Sequence, residues 1–465
     1  MTHQVLLVLP AGVPWVLAAL LTFLDGRKRW VGLLGAAGLA ASLASLVWLA
    51  FVVLREGTVE TVAGGWPEGV GITLRADALG VTFAAVSMVV VLASMLYEVA
   101  LGVRWRAFPP LVLLVAAGLN GLFLTGDAFN FYVFFEISMT ASFVLAGYRE
   151  EDYQVRAAFI FAVVNLLGSV VFLIGIAALY SITGSLDMQT IAARTDALEP
   201  SSVIVVASVI FAAFCLKLGL FPFHFWLPAV YVGSHAPVAA ILSGALANIG
   251  SYGLLRFGGG ILPRELALGS VAVMALGTAS IIYGALQAIS RRDTSEVMAY
   301  SAIGQVGYIL LALGIGGPVG FTAAVLYSVV NSLNKGVVFL AAGLRGPLVG
   351  AAFAVGAFSI AGVPPAAGFV GKIAVFKAAM VEGPAVTGAA LVALVFAGSA
   401  LSFLYSFQVY QRRFLAPQDG EKPGPLAARL LVFSLAAVLL FLGLWPEPLI
   451  YLSQAAAGAL TGSSG

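Results

Sequence analysis

Five ionisable side chains stand inside stretches that are otherwise apolar: Glu136, Lys217, Lys335, Lys372 and Lys377. Glu136 lies in "FNFYVFFEISMTASF" (129–143), Lys217 in "LKLGLFPFHFWLP" (216–228), Lys335 in "SLNKGVVF" (332–339), and Lys372 closes "SIAGVPPAAGFVGK" (359–372). A charge at the centre of a membrane helix costs about 2.5–3.5 kcal/mol on insertion scales, so such residues are rare and face a bundle interior or a wet cavity. Two chemistries suit Glu136, Lys217, Lys335 and Lys372: a structural ion pair, or the movement of protons or ions. Lys377 is nearer the end of its stretch, where a long side chain can reach the headgroups.

Two of the lysines sit beside helix breakers. Pro222 and Pro228 follow Lys217, and Pro364 and Pro365 precede Lys372. Proline removes a backbone donor and clashes with the preceding turn. One Gly/Pro-interrupted span in each half of a chain is the pattern of inverted-repeat transporters. The freed carbonyls can hold water or ions where they line a protein cavity. His224 lies at the first break and is a possible proton relay, since imidazole titrates near neutral pH. His235, in "GSHAP", belongs at a membrane face. Three histidines at these spacings and the single Cys215 make neither a metal site nor an intramolecular disulfide. No phosphate-binding loop or dinucleotide fingerprint is present, so no cofactor is expected. Asp127 reads as an N-cap, and "DTSE" (293–296) as a capping box.

The elements that must position these groups are membrane helices. The 465 residues are 61% hydrophobic and 9% charged, whereas a soluble protein carries about 25% charge. Apolar runs of about 20 residues mark helices that cross the bilayer, and the short alternating segments of a β-barrel do not dominate. The net charge of +2 suggests no nucleic-acid partner. Fourteen spans are expected. The first, 4–24, reads as a retained helix and not a signal peptide. The last, 427–455, is long enough to tilt or to end on the membrane surface. The segment 58–77 is too polar to span and reads as a β-hairpin outside the bilayer. Residues 416–425 form a turn-rich loop. Fourteen basic residues fall in one set of alternate loops and five, Arg256 among them, in the other. That asymmetry puts both termini on the outer side.

Several segments together resemble a known family. They are "FYVFFEISMTASFVLAGY", "KLGLFPFHFWLP", "APVAAILSG", "AYSAIGQVGYILLALG", "NKGVVFLAAG" and "FSIAGVPPAAGFVGK". The family is that of the antiporter-like subunits shared by Mrp-type Na+/H+ antiporters and respiratory complex I. "LYSITGSLDMQTIA" and "GGWPEGVGITLRAD" tilt the resemblance toward the D-type member of the Mrp set. The likeness runs from about residue 60 to 415. It implies an all-α polytopic membrane protein of fourteen helices with two inverted five-helix repeats, each with an interrupted helix. The implied units are helices one to three in 1–107, repeats at 108–258 and 265–411, and a last helix at 427–455.

The resemblance also implies roles. Glu136 matches a glutamate that pairs with the lysine matched by Lys217. Lys335 matches a central lysine, and Lys372 the ionisable residue of the second interrupted helix. The chain departs from the family's pattern at Asn248, where a lysine is usual, at Asn331, where a histidine is common, and at Ala229, where an aspartate is usual. Ser295 and Glu296 stand where basic residues often sit. Asn248 and Asn331 bind water but carry no charge, so a proton path through them depends on ordered water. A nearby carboxylate favours the charged form of a lysine and burial favours the neutral form. Separating Glu136 from Lys217 would therefore send a proton toward Lys335 and Lys372.

Three functions remain open on these residues. The first is a proton-translocating subunit of a multisubunit cation/proton antiporter in the cell membrane, with other membrane subunits as partners and protons and Na+ as cargo. The second is the pumping subunit of an NADH:quinone oxidoreductase or membrane hydrogenase. The third is a non-conducting scaffold, motivated by Asn248, Asn331 and Ala229.

Overall fold

The computed structural model describes residues 3–66, 71–148, 151–383, 385–415 and 423–461. In chain order α1 (His3–Thr22) and α2 (Arg29–Glu56) lead to a small antiparallel hairpin, β1 (Val59–Val62) and β2 (Thr73–Ala76). Then come α3 (Ala78–Leu101), α4 (Phe108–Phe123), α5 (Ala128–Ala146) and α6 (Asp152–Thr183). A short α7 (Met188–Thr195) precedes α8 (Pro200–Leu218) and α9 (Leu227–Gly233). One continuous rod follows: α10 (Ala236–Ala240), a π turn (Ile241–Leu246), α11 (Asn248–Gly253) and a second π turn (Leu254–Ile261). The chain continues through α12 (Pro263–Leu268), α13 (Ser270–Ser290), α14 (Thr294–Ile315) and α15 (Gly317–Ala342). It ends with α16 (Pro347–Ala361), α17 (Ala367–Val381), α18 (Ala385–Tyr410), α19 (Leu426–Leu444) and α20 (Glu447–Thr461).

Among the described residues, twelve helical stretches are long and apolar enough to cross a membrane, and α4 and α16 are shorter apolar helices. The membrane-spanning helical class is therefore as the composition implies. Hydrocarbon offers no hydrogen bonds, so a spanning segment must satisfy its own backbone, and a helix does so. The 58–77 hairpin forms, pairing Val59 with Ala76 through Val62 with Thr73; its residues 67–70, and 416–422 of the expected loop, lie outside the described residues. Asp127 caps α5 by accepting the amide of Asn130 at 2.6 Å. Asp293 caps α14 through the amides of Ser295 and Glu296.

The interior is built on α15, whose apolar window is buried throughout, with α3, α14 and the 236–261 rod around it. Outer helices α6, α13 and α18 leave Phe159, Leu167, Val271 and Phe396 exposed, as lipid-facing or subunit-facing surfaces are.

Two expectations need correction. The single helix expected over 427–455 is two. Pro446 cannot continue α19, and the residue before a proline leaves the helical region; Trp445 sits at φ −128°, ψ 80°. α19 starts near Leu344 and Gly346, reaches the α16–α17 connection at Gly443, and α20 finishes beside Gly259, Gly260 and Phe321. A Cβ on Gly443 would lie 2.0 Å from the carbonyl oxygen of Pro365, so the last break packs backbone to backbone against the break before Lys372.

The second correction is Arg256, counted above with the loops. It lies in the second π turn and is buried. Its Nη2 donates to Asp77 Oδ1 at 2.7 Å, and its Nη1 stands 2.7 Å from Oδ2. Arg256 Nε donates to the Tyr252 hydroxyl, which donates to the Phe123 carbonyl. Asp77 also caps α3 through the Gly80 amide at 2.9 Å, and Arg75 bridges onward to Glu60 on β1. Burial pushes the Asp77 carboxyl up, but the Arg256 charge and the hydrogen bonds outweigh it and hold the carboxyl below the ordinary value. The stability this lends is present at neutral pH and is lost as pH falls through the lowered value.

Removing one partner of a buried pair leaves an uncompensated charge, which costs about 3–5 kcal/mol. Asp77→Ala is expected to destabilise the chain by that amount in chemical denaturation in detergent, whereas replacing Asp77 and Arg256 together by leucine and methionine recovers most of it.

Candidate functional site

The first break ends α8 one residue after Lys217. Gly219 takes the left-handed conformation (φ 61°) that closes the helix. The backbone groups freed here find partners: Trp226 Nε1 donates to the Leu216 carbonyl at 3.1 Å, and the Phe221 amide donates to Ser280 Oγ at 3.1 Å. Lys217 is buried against the rings of Phe135 and Phe161, 5.3 and 5.7 Å from its Nζ. Its Nζ donates to Asn165 Oδ1 at 3.3 Å and contacts Met139 Sδ. Glu136, half-buried, accepts the Ser169 hydroxyl.

Residues three or four apart share a helix face. Glu136 and Met139 therefore share a face of α5, and Asn165 and Ser169 share one of α6. The carboxylate occupies one rung of this α5–α6 seam and the lysine the next. Among the described residues no ion pair closes directly between Glu136 and Lys217; α6 joins them through Ser169 and Asn165. The two groups face one seam, and they are joined indirectly.

Beyond Lys217 a void of about 10 Å³ lies between Phe161, Trp226, Tyr231, Leu242, Leu246 and Ala247. A cavity of about 10–15 Å³ holds a single water. On the far side, Asn248 sits between the two π turns of the 236–261 rod. Its Nδ2 is 2.9 Å from Ser87 Oγ, 3.1 Å from the Gly244 carbonyl and 3.2 Å from Ser332 Oγ. Asn248 thus ties α3 and the rod to α15. A π turn widens a helix and recurs at functional positions. Gly244 lets α15 approach there: a Cβ would lie 2.8 Å from the Ser332 carbonyl.

On α15, Tyr327, Asn331 and Lys335 recur every four residues and share one face, all buried. Among the described residues Lys335 Nζ has no hydrogen-bond partner. The second break follows α16. Gly362 adopts φ 76°, and Lys372 Nζ donates to the freed carbonyl of Ala361 at 3.2 Å. The same Nζ stands 4.7 Å from the centre of the Tyr308 ring. Tyr308 packs on Tyr327, whose hydroxyl donates to Gln305 Oε1 at 2.5 Å. Gln305 continues to Tyr405, and Tyr405 to Ser301 at 2.8 Å.

The fold therefore brings Glu136, Lys217, Asn248, Asn331, Lys335 and Lys372 to buried or half-buried positions on neighbouring helices. It places the histidines apart from them. His224 stacks on Tyr283 and Phe221, with centroids 4.3 and 5.6 Å away, toward α13. His235 immediately precedes α10, and its Nε2 meets Gln154 Nε2 at 3.2 Å. Lys377 is exposed. A search for charges in apolar runs missed Asn165, Ser169, Ser87 and Ser332, because none is ionisable. Asn165 and Ser169, four apart in "NLLGS", were the available signal.

The family described as NADH:quinone oxidoreductase/Mrp antiporter, transmembrane, matches residues 125–401. The D component of the Na+/H+ antiporter of Alkalihalophilus pseudofirmus is 30% identical over 479 residues, covering 96% of this chain and 95% of that one. Among solved structures, a chain of the Mrp complex from a Dietzia species superposes with a TM-score of 0.91 at 28% identity, covering 99% of this chain and 98% of that one. A chain of the membrane-bound sulfane sulfur reductase, an archaeal respiratory membrane complex, superposes with a TM-score of 0.89 at 26% identity over 98% of both.

The site depends on Gly362 twice. A side chain in the left-handed region costs about 1–2 kcal/mol, and a Cβ here would lie 2.5 Å from Lys372 Cδ. Gly362→Ala is expected to lose at least that much stability in thermal melts in detergent, with Lys372→Ala in the same chain relieving the steric part.

Proposed function

The chain belongs to the NADH:quinone oxidoreductase/Mrp antiporter family of membrane subunits, and from that premise we propose that it is the proton-translocating, D-type member of a multisubunit Na+/H+ antiporter of the cell membrane. Other membrane subunits are its partners, and protons and Na+ its cargo. The observation that carries the reading is the series Lys217, Lys335 and Lys372: three buried amines with no ion pair to a carboxylate among the described residues, Lys217 meeting an amide oxygen and aromatic rings, Lys372 a backbone carbonyl and an aromatic ring, and Lys335 no hydrogen-bond partner.

A lysine sealed in apolar surroundings favours its neutral form, and a carboxylate nearby favours the charged one. Glu136 sits one rung from Lys217, held by Ser169, so a small shift of α5 against α6 changes the distance between their charges. When Glu136 is near, Lys217 keeps its proton. When Glu136 moves or is neutralised, Lys217 releases the proton into the void beside Leu246 and Ala247. Asn248, the residue after Ala247 on the rod and bound to Ser332, carries the proton on toward Lys335 through ordered water. Asn331, midway between Lys335 and Tyr327 on one helix face, leads on to the Tyr308 ring over which Lys372 lies. Lys372 rests on the Ala361 carbonyl and exchanges with the face that the second break opens. The groups interact, so they titrate as a set. The two interrupted helices, one in each implied repeat, are the gates. His224 is a relay on this reading only if water joins it to the first break.

A second reading has its own support in the likeness to a chain of an archaeal respiratory complex: the same lysine series would serve as the pumping part of a redox enzyme. Co-purification separates the two, because a respiratory assembly retains iron–sulfur subunits and an antiporter does not.

Glu136→Ala and Lys217→Ala, each confirmed to insert and assemble, are expected to lower Na+-driven dissipation of a pH gradient in everted vesicles by at least about tenfold, one charge-assisted hydrogen bond being worth about 1.5–3 kcal/mol. Unchanged antiport in either variant would end the proposal.

A further inference from the structure

A groove of about 1050 Å³ opens on the hairpin side of the molecule, apart from the lysine series. Its walls are the end of α2, the first turns of α15, α17 and α20. Three basic side chains line it, Arg55, Arg75 and Lys377, with one carboxylate, Glu56. Arg75 is already held by Glu60 at 3.1 Å. Arg55 lies over the Phe51 ring at 4.0 Å, and Lys377 is exposed. Among the described residues neither Arg55 nor Lys377 meets a carboxylate. Below this rim the lining is apolar: Leu326, Val370, Ile373, Ala374 and Ile450.

The depth of the groove selects its occupant. The lining runs from Pro318 to Leu326 on α15, from Val370 to Lys377 on α17 and from Ile450 to Thr461 on α20. At 1.5 Å per residue these are about 12, 10 and 16 Å, roughly a third to a half of a hydrocarbon core about 30 Å thick. The reason is built into the chain: α17 and α20 both begin at breaks, after Pro365 and Pro446, so two walls exist in only one half of the bilayer. A spanning helix of a partner subunit needs a seat through the full thickness. A lipid of one leaflet needs half of it, with acyl chains against the apolar walls and a negative headgroup at the basic rim.

We propose that this groove binds an anionic phospholipid of the hairpin-side leaflet, its phosphate between Arg55 and Lys377 and its acyl chains along Ile373, Val370 and Ile450. The site is separate from the proposed proton path but shares α15 and α17 with it. Its walls α17 and α20 start at the two breaks that pack together at Gly443 and Pro365, so a lipid wedged between them braces the segment that positions Lys372.

The test uses the full assembly, purified from vesicles of phosphatidylglycerol and phosphatidylcholine, with retained lipid counted by mass spectrometry. The wild-type assembly keeps phosphatidylglycerol above its share of the vesicle. The Arg55→Gln/Lys377→Gln assembly binds it about thirtyfold more weakly, at roughly fivefold per cation, while Glu56→Gln keeps it. In a chain otherwise wild type, Ile373→benzoylphenylalanine forms its photochemical adduct with phospholipid. Equal phosphatidylglycerol retention in the double variant overturns the proposal, and so does attachment of residue 373 to a protein subunit, which would make the groove a subunit contact.

Discussion

A helix that stops in the middle of a membrane must find partners for its freed backbone groups, and the rest of this structure is arranged around that requirement. An unsatisfied amide or carbonyl in hydrocarbon costs several kcal/mol. At the first break an indole takes the Leu216 carbonyl and a serine of α13 takes the Phe221 amide. At the second, Ser359 takes the Gly368 amide, and the carbonyl of Ala361 is taken by the lysine itself. The two solutions differ in a way that matters. In the first half the backbone is sealed by neighbours and Lys217 is left to side chains of α5 and α6. In the second half the charged group and the break are one unit, so moving Lys372 reopens the backbone.

The molecule uses buried charge in two distinct manners. Asp77 and Arg256 are close, hydrogen-bonded on several sides and tied to Tyr252, Phe123 and the hairpin. Such a pair fixes geometry and offers nothing to a proton, because neither partner can change state without the other. Lys217, Lys335 and Lys372 lack that compensation. Lys217 and Lys372 meet groups that tolerate both a charged and a neutral amine, an amide oxygen, a backbone carbonyl and an aromatic face, and Lys335 is buried without a hydrogen-bond partner among the described residues. Tolerance of both states is what a transfer site needs and what a structural bridge must avoid.

What could be read from the chain beforehand follows the same division. Charge inside an apolar run is conspicuous, so Glu136, Lys217, Lys335 and Lys372 stood out, as did the Gly/Pro clusters beside two of them. The helical membrane class was legible because composition and run length are properties of whole segments. Arg256 was misread because it lies near the end of its apolar run, and only the fold shows Asp77, nearly two hundred positions away, reaching it. The interruption at Pro446 was hidden by continuous apolarity on both sides of it. Asn165, Ser169, Ser87 and Ser332 are ordinary polar residues in a membrane helix until the packing sets the first two against Lys217 and Glu136 and the last two against the Asn248 amide.

Asn248 and Asn331 bear on how charge would cross the centre. A third and fourth cation there would each add an insertion cost of about 2.5–3.5 kcal/mol and would repel Lys217 and Lys335. An amide adds neither. It offers a donor and an acceptor at fixed positions, and Asn248 is fixed by Ser87, Gly244 and Ser332 together. Its orientation is therefore set by three helices at once, α3, the 236–261 rod and α15. A water that met this amide would meet a dipole aimed by the packing of the bundle, and a change in that packing would turn the dipole. On the proposed path the centre would be controlled by how helices sit against one another, and the charges that respond to it would lie on either side.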